Sequence, residues 1–170
     1  MILCLVIAAA AVFLDQITKF LVVQNISEGA SVEGIRGVFR LTYIENKGAA
    51  FGILAEHRWV FMILSVIAIA AILFYLWREK PESILARLSL GMILGGGIGN
   101  MIDRVLRGAV IDFVDVELIH FPYIFNVADA FVCVGCVLLI LHLILSEAQS
   151  KKKKQESKAK DASADSEADT

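Results

Sequence analysis

Charge is scarce where most domains carry it: long stretches of this 170-residue chain are uncharged, 58% of its residues are hydrophobic, and its mean hydropathy is +0.71. A soluble domain holds about 45–50% apolar residues, so a soluble fold is excluded and the chain is expected in a membrane. A basic face is also lacking, which argues against nucleic acid as a partner. Cysteine is sparse, and Cys4, Cys133 and Cys136 all fall in apolar runs, a pattern of small buried residues rather than of a disulfide framework. The CxxC of Cys133 and Cys136 has no second pair and no nearby His, so helix packing is expected of it before zinc or redox chemistry. No basic stretch precedes the first apolar run, and Asp15 and Lys19 lie inside it. Met1 to Val23 is therefore expected to be a retained span, although Ala8 to Ala11 could mimic a signal-peptide cleavage site.

What is present is a set of four apolar segments near the roughly 20 residues a spanning helix needs: Met1 to Val23, Trp59 to Trp77, about Ile84 to Ile102, and Val127 to Ser146. Pro81 can open the third helix at its first turn. Four spans place both termini on one side. Arg78, Lys80 and Arg87 between spans two and three, and Lys151 to Lys154 after span four, mark the cytoplasmic side. Arg36, Arg40, Lys47, Arg58, Arg104 and Arg107 fall on the opposite side, where contact with substrate or lipid headgroups is expected. In the outer segment Gln24 to His57, the alternation over Val38 to Ile44 predicts a strand with Phe39, Leu41 and Tyr43 on one face. Turns are expected around Gly34 and Gly37 before it and at Asn46, Lys47 and Gly48 after it. The fold class is thus an all-α membrane protein of four helices with a small β-sheet on the outer membrane surface. Residues 1–150 form the membrane unit, its outer segment spanning about 24–57. The last twenty residues hold six lysines and five acids, and 151–170 is expected to be a disordered cytoplasmic tail.

The chemistry is sought in Asp112 and Asp129, because a carboxylate beside hydrocarbon is costly unless paired, protonated or facing water. The loop through His120 and Pro122 returns the chain to one membrane face, where the two acids can meet as a catalytic pair. Two carboxyls in hydrogen-bond range share one proton, so one can activate water while the other stabilises the carbonyl oxygen and protonates the leaving amine. Either acid could hold the proton. Asp15 and Lys19, at i and i+4, are expected to pair and hold helices together. Gly91, Gly95 and Gly99 make a small-residue face for close helix packing, with neither the preceding strand nor the lysine of a phosphate loop. Helical spacing sets Asn100 beside Asp103 and Arg104, and Asp103 beside Arg107. Arg104 is read either as a snorkelling cap or as a grip on a peptide carbonyl.

These residues resemble the prolipoprotein signal peptidases, or signal peptidase II, a family of bacterial membrane aspartic proteases. The likeness rests on Asp15 in a DQxTK setting, on Asn46 with Gly48, Ala49, Ala50 and Phe51, and on Gly99 and Asn100 followed by Asp103 and Arg104. It extends to Val110 to Phe113 and to Phe125, Asn126, Ala128 and Asp129. The resemblance implies a catalytic dyad of Asp112 and Asp129, with structural or substrate-positioning roles for Asp15, Asn46, Asn100, Asp103, Arg104 and Asn126. It also implies removal of the signal peptide from diacylglyceryl-modified prolipoproteins, by cleavage before the lipidated cysteine. The expected setting is the bacterial inner membrane, with the site at the outer leaflet, membrane lipids around it, a monomeric chain and no cofactor. A metal site of Asp112, Asp115, His120 and Asp129 is disfavoured, since no ligand signature such as HExxH is present. A small transporter or proton relay would line the bilayer midplane, whereas these polar residues gather at one face. A purely structural scaffold explains the glycines and leaves the converging acids without a role.

Overall fold

A computed structural model describes residues 1–48, 58–119 and 122–168. In chain order the elements are α1 (Ile2–Asn25), β1 (Ser31–Ile35), β2 (Phe39–Asn46), α2 (Arg58–Glu79), α3 (Ile84–Leu106), β3 (Val110–Val116), β4 (Ile124–Phe125) and α4 (Val127–Ala168). All four helices contain stretches long and apolar enough to cross a membrane: Ile2–Asn25, Trp59–Glu79, Ile84–Leu106 and Val127–Lys151. Helix α3 is central. Its membrane stretch is 44% buried against 6% for α2, and it packs on α1, α2 and α4.

Glycine explains how a central helix can be approached so closely. A Cβ on Gly91 would meet the Cys4 carbonyl oxygen at 2.7 Å, and one on Gly95 would meet the Ala11 methyl at 2.6 Å, so α1 seats directly on the α3 backbone. Gly96, one residue round the helix, does the same for Ala128 and Val132 of α4. Pro81 does not open α3. The helix starts at Ile84, where Ser83 is the N-cap and its side chain accepts the Ala86 N–H at 3.4 Å, because a serine oxygen fills an orphan N–H that proline cannot serve.

The sheet is antiparallel in the order β1-β2-β3-β4. Gly37, at φ +72°, turns the β1–β2 hairpin, closed by Val38 N–H donating to the Ile35 carbonyl at 2.9 Å. Gly34 falls at a bulge between Glu33 and Ile35, under the Phe39 ring. The outer segment supplies only half of this sheet. Val110–Val116 pairs with β2 across register positions Ile44 and Asp112, and Asn46 and Val110. Tyr43, Ile111 and Phe113 then pack on Val22 of α1 and on Ile26 at its C-cap, with Leu41 beside them, so the sheet is fastened to the bundle by one apolar cluster. The Arg40 Nε lies 2.6 Å from Asp115 and its Nη1 3.2 Å from Glu117. These pairs hold neighbouring strands together and engage within the chain one of the cations expected on the outer side.

One further expectation differs from the structure. Cys4 is buried, but Cys133 and Cys136 are exposed on α4, and Cys133 borders a cavity between helices. Helix α4 continues past residue 150 to Ala168. Lys, Ala, Gln and Glu are good helix formers, and Glu147 pairs with Lys151 at 2.7 Å in the favourable i, i+4 order. Ala49 to Phe51, His57 and His120 lie outside the described residues.

Candidate active site

The site grows from the start of α4. Asn126 is its N-cap: the side-chain Oδ1 accepts the N–H of Asp129 at 2.9 Å, and Asp129 Oδ2 accepts the N–H of Asn126 at 3.3 Å. This reciprocal pair is a capping box with an acid at its third helical position, so one of the two focal acids is held by the same bonds that begin its helix. The positive end of the helix favours negative charge there. Asn126 Nδ2 then turns the other way and donates to Asp112 Oδ1 at 2.7 Å. A single amide therefore joins Asp112 on β3 to Asp129 on α4.

Asparagines supply the remaining donors. Asn46, at the end of β2, donates to Asp112 Oδ2 at 2.8 Å, and its own Oδ1 accepts the Gly48 N–H at 3.0 Å, which makes the turn expected after the strand. Asn100 of α3 donates to Asp129 Oδ1 at 2.8 Å and accepts from Asn126 Nδ2 at 3.0 Å. Both carboxylates thus receive N–H donors, and neither is paired directly with a cation among the described residues.

The two acids differ in surroundings. Asp112 is 2% exposed, and burial pushes its carboxyl from 3.8 up to about 6; the nearby Asp129 charge adds to the rise, while the Asn46 and Asn126 donors oppose it. Asp129 is half-buried and borders a cavity of about 1130 Å³. Leu64, Ala68 and Ile69 of α2, Ile93 and Gly97 of α3, and Val132 and Cys133 of α4 form its apolar length. Its polar end carries Asn46, Asn100, Arg104 and Asp129. A cleft of this kind, apolar with a few convergent polar groups, is a usual site for a ligand.

Arg104 reaches the cavity wall with its guanidinium 5.5 Å from the centre of the Phe61 ring of α2, a cation–π distance. Asp103 turns away from Arg107, contrary to the helical spacing, and faces Lys19 of α1 at 2.7 Å. Lys19 also pairs with Asp15 at 2.9 Å, as the i, i+4 spacing predicts. Gln16 was missed in the sequence. Its amide donates to Asp15 at 3.1 Å, to the Gly99 carbonyl at 3.2 Å and to Asp103 at 3.3 Å, and its i, i+3 relation to Lys19 was the available signal. Among the described residues no three His, Cys, Asp or Glu side chains converge as a metal site would need; Asp115 points to Arg40 instead.

Comparison with known proteins identifies the family. The family model described as signal peptidase (SPase) II matches residues 7–145. A lipoprotein signal peptidase of Symbiobacterium thermophilum is 45% identical over 147 residues, covering 85% of this chain and 96% of that protein. A solved structure described as a bacterial membrane enzyme, obtained by the in meso method at 2.3 Å resolution, superposes with a TM-score of 0.79 at 31% identity, covering 85% of this chain and 88% of the other. A second, described likewise at 1.9 Å resolution, gives a TM-score of 0.76 at 32% identity over 82% and 91% of the two chains. The chain therefore belongs to the signal peptidase II family and is a membrane-embedded bacterial protease.

Proposed function

We propose that this protein is an aspartic endopeptidase that removes the signal peptide from diacylglyceryl-modified prolipoproteins, cutting before the lipidated cysteine, with Asp112 and Asp129 as its dyad. One observation carries it: Asn126 bonds both acid side chains, through its Nδ2 to Asp112 and through its backbone N–H to Asp129, and Asp129 borders the polar end of a cavity lined by three helices. The difference in burial divides the work. Asp129, open to the cavity, accepts a proton from water as the oxygen attacks the scissile carbonyl; Asp112 holds the shared proton and donates a hydrogen bond to the developing oxyanion. Collapse of the tetrahedral species breaks the C–N bond, and a carboxyl proton passes to the departing amine. Asn46, Asn100 and Asn126 keep the acids in place, and Arg104 grips a substrate carbonyl.

The cavity fits a substrate that arrives within the bilayer. A lipid-anchored precursor can lay its apolar signal segment along α2, α3 and α4 and present the bond beside Asp129. The site is assembled from one chain, so a monomer suffices. The Lys and Arg bias supports a reading with both termini on the cytoplasmic side of the inner membrane and the dyad at the outer leaflet.

Purified chain incubated with lipidated and unlipidated precursor tests this directly. Wild type is expected to cleave only the lipidated form, and Asp112→Asn or Asp129→Asn to lower the rate by at least about 10³-fold while the protein still inserts and folds. Near-normal cleavage by either variant would remove the dyad, and equal cleavage of both precursors would remove the lipid requirement.

A further inference from the structure

The dyad leaves unexplained why a lysine and two more carboxylates are sealed inside the bundle. Asp15, Lys19 and Asp103 are 0%, 1% and 1% exposed. Lys19 has three N–H donors, and Nζ meets three oxygens: Asp103 Oδ2 at 2.7 Å, Asp15 Oδ2 at 2.9 Å and Asn100 Oδ1 at 3.0 Å. A clamp between α1 and α3 would need only the Lys19–Asp103 contact. The contact with Asn100 runs toward the dyad instead.

Each carboxylate of the trio also holds the peptide N–H just ahead of a dyad acid. Asp15 Oδ1 accepts from Ala128 at 2.9 Å, one residue before Asp129. Asp103 Oδ2 accepts from Ile111 at 3.3 Å, one residue before Asp112. Gly99 makes the first of these possible, since a Cβ there would meet Asp15 Oδ2 at 2.6 Å. The third contact sets a direction. Lysine cannot accept a hydrogen bond, so Asn100 must turn its oxygen to Lys19, and its Nδ2 is thereby aimed at Asp129. With the amide reversed, an oxygen would face the Asp129 carboxylate and the donor would be lost.

We propose that Asp15, Lys19 and Asp103 act as a positioning triad, in which the two carboxylates fix the backbone ahead of each dyad acid and Lys19 fixes the orientation of the Asn100 amide. This rests on the dyad assigned above. The three residues touch no substrate; they act through Ala128, Ile111 and Asn100.

The test uses full-length protein purified in detergent, with kcat, KM and thermal stability measured on the same samples. Asp15→Ala and Asp103→Ala each remove a backbone acceptor while leaving Lys19 one acidic partner; Asp15→Asn and Asp103→Asn keep an oxygen in place. The alanine variants are expected to lose about 10- to 100-fold in kcat, with KM within about 2-fold, since a displacement of about 1 Å at reacting groups carries a penalty of that order. The asparagine variants should recover most of that loss. The uncharged combination Asp15→Asn/Lys19→Met/Asp103→Asn removes the buried ions together, a change that folded proteins tolerate. It should fold yet stay at least about 10-fold down in kcat, because the Asn100 oxygen then loses its charged donor and keeps only Asn126 Nδ2, at 3.0 Å. Wild-type kcat in the folded triple variant would overturn the triad, as would alanine variants whose loss follows only their unfolded fraction. Wild-type protein that fails to cleave the lipidated precursor would instead overturn the dyad assignment, and this inference with it.

Discussion

At the scale of single residues, the most consequential fact is that Asp112 is buried with a raised pKa while being held by amides alone. The rise from 3.8 to about 6 corresponds to about 3 kcal/mol of preference for the protonated form in the folded state. The folded protein holds this proton more tightly than the unfolded chain does. Asp112 therefore favours folding fully below about pH 4, and that contribution is lost as pH rises through about 6. Thermal unfolding followed from pH 4 to pH 8 should show a falling stability component over that window, and the component should be absent from Asp112→Asn. An identical pH dependence in the variant would contradict the burial of this carboxyl. Asp112 and Asp129 were legible in the sequence because an acid beside an apolar run has few structural explanations. The partners of Asp103 were not. Helical spacing offered Arg107 on the same helix, whereas Lys19, on another helix, completes its three contacts around Asp103 in the bundle interior.

Among the elements, the glycine face of α3 separates positions that must be glycine from one that need not be. A Cβ at Gly95 would meet Ala11 at 2.6 Å and the Ala8 carbonyl oxygen at 2.7 Å, whereas at Gly97 the nearest atom is Ile69 Cγ1 at 3.9 Å. Gly95→Ala should destabilise by about 1–3 kcal/mol through overpacking. Gly97→Ala should stay within about 1 kcal/mol of wild type, since it gains helix propensity and meets no clash. Denaturation of both variants in the same detergent distinguishes them, and equal stability would show that α1 and α3 are not in close contact. The four spans were readable from hydropathy because lipid solvation leaves a strong local signal. Strand β3 was harder. Asp112 and Asp115 break its apolar pattern, and its partner β2 lies some 66 positions earlier, across Asn46 and Asp112, so no local periodicity announces the pairing.

For the whole molecule, the proposed orientation puts the sheet outside and the α2–α3 connection inside. A single cysteine in place of Glu33 on β1, in a background where Cys4, Cys133 and Cys136 are replaced, should react with a membrane-impermeant thiol reagent on spheroplasts. A cysteine in place of Lys80 should react only after the membrane is opened. The reverse pattern would invert the topology and move the dyad to the cytoplasmic leaflet. The same architecture distributes constraint unevenly over the chain. Helix α2, with 6% of its membrane stretch buried, leaves most of its surface to hydrocarbon, while α3 meets α1 and α4 through backbone. Random exchange of one apolar side chain for another should therefore drift freely along the lipid face of α2 and be purged at Gly95, Gly96 and Gly99. Homologues should diverge first in the wall of the cavity and last in the seam beneath the acids, a division that lets such a protease alter the signal segments it accommodates without disturbing the carboxyls that cut them.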